Sequence, residues 1–393
     1  MFYRFLGVFF VLFLVSSFWV MPRIINDPWP RSEQRFHHHN GDGYTEIGVL
    51  EAHSHWQSVG YKTNYFLPCF IIENITTNSC TTYTHYPPGI YLFSSFFLTV
   101  FGAQENISEF ALKATRLVLY FLSLFISSFA ILLIGTGLNF SFLSMITMAF
   151  VLGLTRAFWL FADNLFGHGL VLSLFGLFLG VILAEKNRWK TYGVLGFIST
   201  FLSVELIPVL FLMPLLLVIW RNSDIWKKKI FSFWMVSAVG VFLAFFIRIW
   251  QNSLYAGSLE AVFQDWASVI YFRITGSASA AGHTVVDGKE MIAGISFLKS
   301  YAFALYSHQR VMITKIGLLA FALVNIFFLY KKMFQDFAFI LGFYFIALAW
   351  AFLFIQHSII HLFVFRYVAW PLALALALGV SRCFPHAPSH NHK

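Results

Sequence analysis

The sequence predicts an all-α polytopic membrane protein, and three observations carry that prediction. Of 393 residues, 59 % are hydrophobic and only 11 % charged, whereas a soluble domain carries about 45–50 % apolar and about 25 % charged residues. The mean hydropathy is +0.73, and 50 of the residues are Phe. The apolar residues form continuous runs and do not alternate. The composition rules out a soluble enzyme or a disordered chain, and the unbroken runs argue against an outer-membrane barrel.

Phe2 to Val20, behind Arg4, reads as a first span entering from the cytoplasm; no small-residue cleavage site follows it, and Trp19, Met21 and Pro22 suit a retained span. Residues 23–86 form a polar outer loop, and a loop of that length between apolar spans is usually functional. Basic clusters at Lys186–Lys190, at Arg221 with Lys227–Lys229, at Lys331–Lys332 and at Arg382 mark cytoplasmic helix ends. From these marks, the runs 117–134, 141–160, 165–183, 230–249, 311–330, 336–355 and 362–381 each cross once. Tyr192–Trp220 has basic clusters at both ends, so it goes out and returns as a tight hairpin of two short helices, with Glu205 and Pro208 near the outer turn.

Ile90–Phe101 is shorter than the roughly 20 residues a span needs, and parity denies it a crossing, so it reads as a re-entrant or interfacial half-span. The total is about ten transmembrane helices plus that half-span, with both termini cytoplasmic. A second outer loop covers 251–308, with a flexible Gly276–Gly282 centre. Residues 1–383 form a single transmembrane domain, and 384–393 a disordered tail.

The net charge is +9. Its basic residues sit between apolar runs, where they orient helices; no nucleic acid is expected as a partner. Cys69 and Cys80 fall in the first outer loop and either pair there or remain thiols.

Four constellations can carry chemistry. In Gly41-Asp42-Gly43-Tyr44-Thr45-Glu46, the two acids share one face if the segment is helical. A partly desolvated carboxylate at an outer interface serves as general base on a hydroxyl; the bland alternative is a solvated loop acid. In His85-Tyr86-Pro87-Pro88-Gly89 the prolines suit a first helical turn, placing His85 and Tyr86 at a helix N-terminus that favours an anion such as phosphate, or marking only a helix start. Arg156…Asp163 and His168 flank two spans; such groups are functional candidates or helix-end caps. Finally, His357, His361, Arg366 and Tyr367 lie together, with Arg366 inside an apolar run. A guanidinium there needs an anion: a phosphate, which it can meet bidentately, or a carboxylate such as Asp42 or Asp163. His37-His38-His39 are adjacent and converge poorly on one ion, whereas Glu46 with His85 or His168 is a more reasonable pair for a divalent metal. No nucleotide fingerprint or HExxH is present.

In this order the parts resemble GT-C glycosyltransferases, nearest to the lipid A aminoarabinose transferase and protein O-mannosyltransferase group. The resemblance rests on Asp42…Tyr44…Glu46, His85-Tyr86-Pro87-Pro88-Gly89, Gly102…Arg116, Arg156…Asp163 and Arg366-Tyr367…Pro371. It covers most of the chain through short motifs. Three positions depart from the family pattern: Gly43 follows the first acid, Glu205 stands where the hairpin usually carries a Lys, and His85 stands where the aminoarabinose transferases have an acid.

The resemblance implies a GT-C-like bundle that moves a sugar from a polyprenyl-phosphate donor, with inversion, to a lipid, glycan or protein acceptor on the extracytoplasmic face. Asp42, Glu46 and Asp163 would be the catalytic acids. His85, His168, Arg366 and Tyr367 would hold the donor phosphate, and Glu46 and His85 would hold a divalent metal if one is used. The short loops point to a bacterial inner membrane. The alternatives are a glycan polymerase, a non-catalytic scaffold, and a transporter or flippase. A transporter would place charges at the midplane in repeated halves; only Glu205 and Arg248 are candidates for such positions, and no repeat is evident.

Overall fold

The computed structural model describes residues 1–30, 43–70, 81–82, 84, 87–184, 189–221, 224–275, 295–354 and 362–384. Its described residues are almost entirely helical. The first elements are α1 (Phe2–Asn26), α2 (Gly43–Val59), a two-stranded antiparallel ribbon of β1 (Cys69–Phe70) and β2 (Thr81–Thr82), and α3 (Gly89–Val100). Then come α4 (Glu109–Gly137), α5 (Phe142–Leu154), α6 (Arg156–Phe161) and α7 (His168–Leu183). α8 (Trp189–Leu202) joins α9 (Ile207–Arg221) through a 3₁₀ turn at Val204–Leu206. The chain continues with α10 (Asp224–Ala256), α11 (Leu259–Thr275), α12 (Ile295–Tyr330), α13 (Phe334–Ala347) and α14 (Ala349–Leu353). A 3₁₀ stretch at Leu362–Val368 leads into α15 (Ala369–Cys383).

The bundle is built around α7, every residue of which is buried. A helix apolar on all sides has no solvent face to offer and belongs at the centre. α4 packs along it through small and hydroxyl residues: the Ser127 hydroxyl donates to Ser173 Oγ (2.8 Å), and Ser173 to the Ser123 carbonyl (3.1 Å). Such contacts let helices approach closely where no hydrophobic drive separates protein from lipid. Gly176, one turn further along α7, is required where α15 packs, because a Cβ there would stand 2.2 Å from the Trp370 indole.

Outer helices show two apolar faces. On α1, Val8, Leu12, Ser16, Val20 and Ile24 are buried, while Leu6, Phe10, Leu14 and Phe18 are exposed. α10 similarly exposes Phe231, Met235, Phe242, Phe246 and Trp250. Exposed apolar stripes of this extent are tolerated in a bilayer and are an aggregation hazard in water. Among the described residues, the segments Phe2–Asn26, Glu109–Gly137, Ile230–Ala256, Leu298–Tyr330 and Leu362–Cys383 are long and apolar enough to cross a membrane. The fold is that of a helical membrane protein. α3, at 12 residues, is as short as the expected half-span, and of the runs expected to cross, α5, α7 and α13 have 13 to 16 residues, so length alone does not bear out a count of ten among the described residues.

Several predicted boundaries hold. The hairpin at 192–220 is two helices with Glu205 in the turn, and α3 begins directly after Pro87-Pro88. Others are corrected. The run 141–160 is broken at Thr155 (φ −67°, ψ 136°), whose hydroxyl accepts the Phe158 N–H and starts α6. The second outer loop, expected at 251–308, is largely helical where described: α10 runs to Ala256, α11 follows, and α12 starts at Ile295. Leu259, Val262, Phe263, Trp266 and Ile270 carry the helical period, but the intervening Glu260, Gln264 and Asp265 break the hydropathy on which spans are read. The Gly276–Gly282 centre and most of the tail lie outside the described residues.

Candidate functional site

Two buried ionic clusters form where α1 ends, α4 and α7 begin, and the α8–α9 hairpin turns. The first centres on Arg116, two turns into α4 and 3 % exposed. Its guanidinium meets Glu46 of α2 as a fork, Nη1 to Oε1 at 2.8 Å and Nη2 to Oε2 at 3.1 Å. Its Nε donates to the Pro28 carbonyl (2.6 Å), and its Nη1 also faces the Asp163 carboxylate at 3.6 Å. Asp163, fully buried, is held by Arg23 from the last turn of α1, which donates through Nε (3.2 Å) and Nη2; Nη2 also reaches the Trp159 carbonyl. Two guanidinium and two carboxylate groups thus neutralise one another out of water, as burial demands.

The local sequence explains the placement. α2 presents Glu46, Val49, His53 and Trp56 on its buried side at three- and four-residue spacing. The 162–168 link between α6 and α7 is held by partners from several elements. Glu46 Oε1 accepts the Leu165 N–H (2.9 Å), the Leu165 carbonyl accepts from Ser94 of α3, and the Ala162 carbonyl accepts from Ser123 of α4 (3.0 Å). Gly167 closes the link at φ +68°, a left-handed conformation in which a Cβ would also strike Ile90.

The second cluster lies at the far end of the same link. His168 is buried and its ring stacks on Phe363 at 4.4 Å. Arg366 of the 3₁₀ stretch, fully buried, donates from Nη2 to Glu205 Oε2 (2.7 Å) and from Nη1 to the Phe363 carbonyl (2.6 Å). The Tyr367 hydroxyl donates to the same Glu205 oxygen (2.9 Å), and the Arg366 guanidinium lies 4.5 Å over the Tyr367 ring.

Of the expected site residues, Glu46 and Asp163 are brought together through Arg116, and His168, Arg366 and Tyr367 gather around Glu205. Asp42, His85, Tyr86, His357, His361 and His37–His39 lie outside the described residues. The carboxylate that meets Arg366 is Glu205, and the guanidinium groups that meet Asp163 are Arg23 and Arg116. Arg23 and Glu205 were not among the expected site residues. Their signal was positional: a cation closing the first span and an acid in a hairpin turn. Arg156 stands over the Trp159 ring at 5.6 Å. Both Glu46 oxygens are occupied by N–H donors, and among the described residues no group of three or more His, Cys, Asp or Glu is arranged to hold a metal. In the first outer region Cys69 is disulfide-bonded, and Cys383, at the end of α15, is free.

No known family profile matches the chain, and no curated protein does. Among solved structures, the chain is similar to the apo crystal structure of an Archaeoglobus fulgidus oligosaccharyltransferase, at 17 % identity and a TM-score of 0.41. The similarity covers 96 % of this chain and 50 % of that one, so the chain spans half of that protein's length. A likeness so remote carries no argument here.

Proposed function

We propose that the chain is a membrane glycosyltransferase that takes a sugar from a polyprenyl-phosphate donor at the outer face of a bacterial inner membrane and transfers it with inversion. The observation that carries this reading is the Arg116-centred cluster. It ties α2, whose first residue follows Asp42, to the 162–168 link, and so joins the two acidic motifs of the resemblance in one buried unit. Three features support the outward orientation. The clusters sit at the helix ends opposite the basic marks at Lys190, Arg221, Lys331 and Arg382. The Arg382–Asp336 pair (2.9 Å) lies at that other end. The disulfide at Cys69 fits an oxidising compartment.

In this mechanism Asp42 accepts the proton of the acceptor hydroxyl as its oxygen attacks the anomeric carbon. The bond from that carbon to the phosphate oxygen breaks, and the phosphate leaves with the electron pair. A phosphate needs little acid assistance, so positioning and charge compensation dominate. Glu46 and Asp163 act in this scheme by holding α2 and the link in place, because their oxygens are already committed to guanidinium groups. His85 and His168 are the groups proposed to face the departing phosphate, while Arg366 reaches a phosphate only if Glu205 yields it. A divalent ion would add charge compensation at the leaving group. Glu46, with both oxygens engaged, is a poor ligand for it as placed, leaving His85 as the proposed contact.

The test is incubation of the purified chain in nanodiscs with polyprenyl-phosphate sugars, following release of polyprenyl phosphate. Turnover of at least one donor is expected; substrate uptake into vesicles without bond cleavage would favour a transporter instead.

A further inference from the structure

We propose a second polar site, at the outer end of α10, that binds the hydroxyl groups of a carbohydrate acceptor. Arg248, Gln251 and Asn252 fall at i, i+3 and i+4 and share a face of α10; they are 7 %, 9 % and 1 % exposed. All three reach into the first outer region. Arg248 Nη2 (3.1 Å) and Asn252 Nδ2 (3.0 Å) donate to the Thr84 carbonyl, and Gln251 Nε2 donates to the Tyr65 carbonyl (3.2 Å). Thr84 in turn donates its hydroxyl to Asp265 of α11 (2.7 Å), and the next residue, Trp266, lies 4.5 Å beneath the Arg248 guanidinium.

Three buried atoms in this cluster make no hydrogen bond: Asn252 Oδ1, Gln251 Oε1 and Trp266 Nε1. Both amide orientations are fixed, because each NH₂ is the donor to a backbone carbonyl, so each oxygen is an acceptor still to be met. Buried polar groups left so are unusual in a folded protein and call for an occupant. The occupant must donate at least two hydrogen bonds and accept one from the indole. A phosphate at neutral pH is nearly all acceptor, and its oxygens would repel the two amide oxygens. Vicinal hydroxyl groups both donate and accept, so they supply both kinds of bond that these atoms lack. Thr84 directly precedes the His85-Tyr86-Pro87-Pro88 motif in sequence, and that adjacency is the ground for reading the occupant as the acceptor. The inference rests on the transferase reading in that respect.

The decisive variant is Trp266→Phe, which removes the unused N–H and keeps the ring under Arg248. The full chain in nanodiscs is titrated with methyl α-mannoside, methyl α-glucoside and methyl β-galactoside by saturation-transfer NMR, alongside thermal unfolding. The expected result is millimolar binding of at least one glycoside, weakened about fivefold or more by Trp266→Phe and by Gln251→Met, with the unfolding temperature of Trp266→Phe unchanged. Absence of glycoside binding, or binding indifferent to both variants, overturns the proposal, since water would then be the occupant. Tighter binding of a short peptide than of any glycoside also overturns it. Polyprenyl phosphate release from the donor, measured on the same samples, separates the two readings. Release without glycoside binding removes only this site, whereas glycoside binding without release from any donor removes the transferase.

Discussion

The two buried ionic clusters use the same chemistry to different ends. Around Glu205, one guanidinium and one phenol meet the same carboxylate oxygen, and Glu205 and Arg366 have no exposed side-chain surface. It pins the hairpin turn to the 3₁₀ stretch. Around Arg116, four charges come from α1, α2, α4 and the 162–168 link, and Arg23 keeps 13 % of its side chain exposed. The first arrangement is a local lock; the second is a junction that fixes several elements at once and reaches the surface. Charge in a low-dielectric interior does not by itself mark chemistry, and what separates the clusters is how many elements each one positions.

Removing one partner from either cluster leaves an uncompensated buried charge, with an expected loss of about 3–5 kcal/mol. Arg366→Met should fall in that range by thermal or denaturant unfolding in detergent, and Arg366→Met with Glu205→Met should recover most of it, because the double variant removes both buried charges together. Arg116→Met should cost as much, but adding Glu46→Met should recover less. Asp163 would keep only one of its two guanidinium neighbours, the Leu165 N–H and Pro28 carbonyl would lose their partners, and polyprenyl phosphate release should stay low in the double variant. Equal recovery in both clusters would erase the distinction drawn between them.

Arg23→Gln should be milder, roughly 1–2 kcal/mol, since Asp163 keeps Arg116 nearby and Arg23 is part-exposed.

The most gradual effect is one of pH. His53 of α2 is buried against Ser95 of α3 (Nδ1 to Oγ, 2.8 Å), and burial pushes its imidazole down to about 4. Between an unfolded value near 6.5 and that folded value, the unfolded chain binds the extra proton, so stability is full above about pH 6.5 and declines toward pH 4. The slope from this group is at most about 1.4 kcal/mol per pH unit, and His53→Gln should flatten it in unfolding scans between pH 7 and 5. An unchanged slope would show that other groups set the acid limit.

Much of the fold was legible because lipid-facing runs, basic helix-end marks and prolines are local signals. The α8–α9 hairpin and the start of α3 followed directly from them. The break at Thr155 was not legible, because the apolar run continues through it and only the Thr155 cap and the link's partners reveal the turn. The helix at 259–275 was masked by the polar residues that hydropathy weighs against. In the site, Glu46, Asp163, His168, Arg366 and Tyr367 were all picked out by type and position, but their pairing was not. The choice of Arg23 over Arg156 for Asp163, and of Glu205 for Arg366, is set by contacts more than a hundred residues apart in sequence, which spacing alone does not encode.

The central claim is that the Arg116 junction serves a general base standing one residue ahead of α2. Its most direct test is the turnover of Asp42→Asn in nanodiscs, read as polyprenyl phosphate release together with the unfolding temperature. The account predicts a fall of about 10²–10⁴-fold with the unfolding temperature unchanged; wild-type turnover in that variant would contradict it.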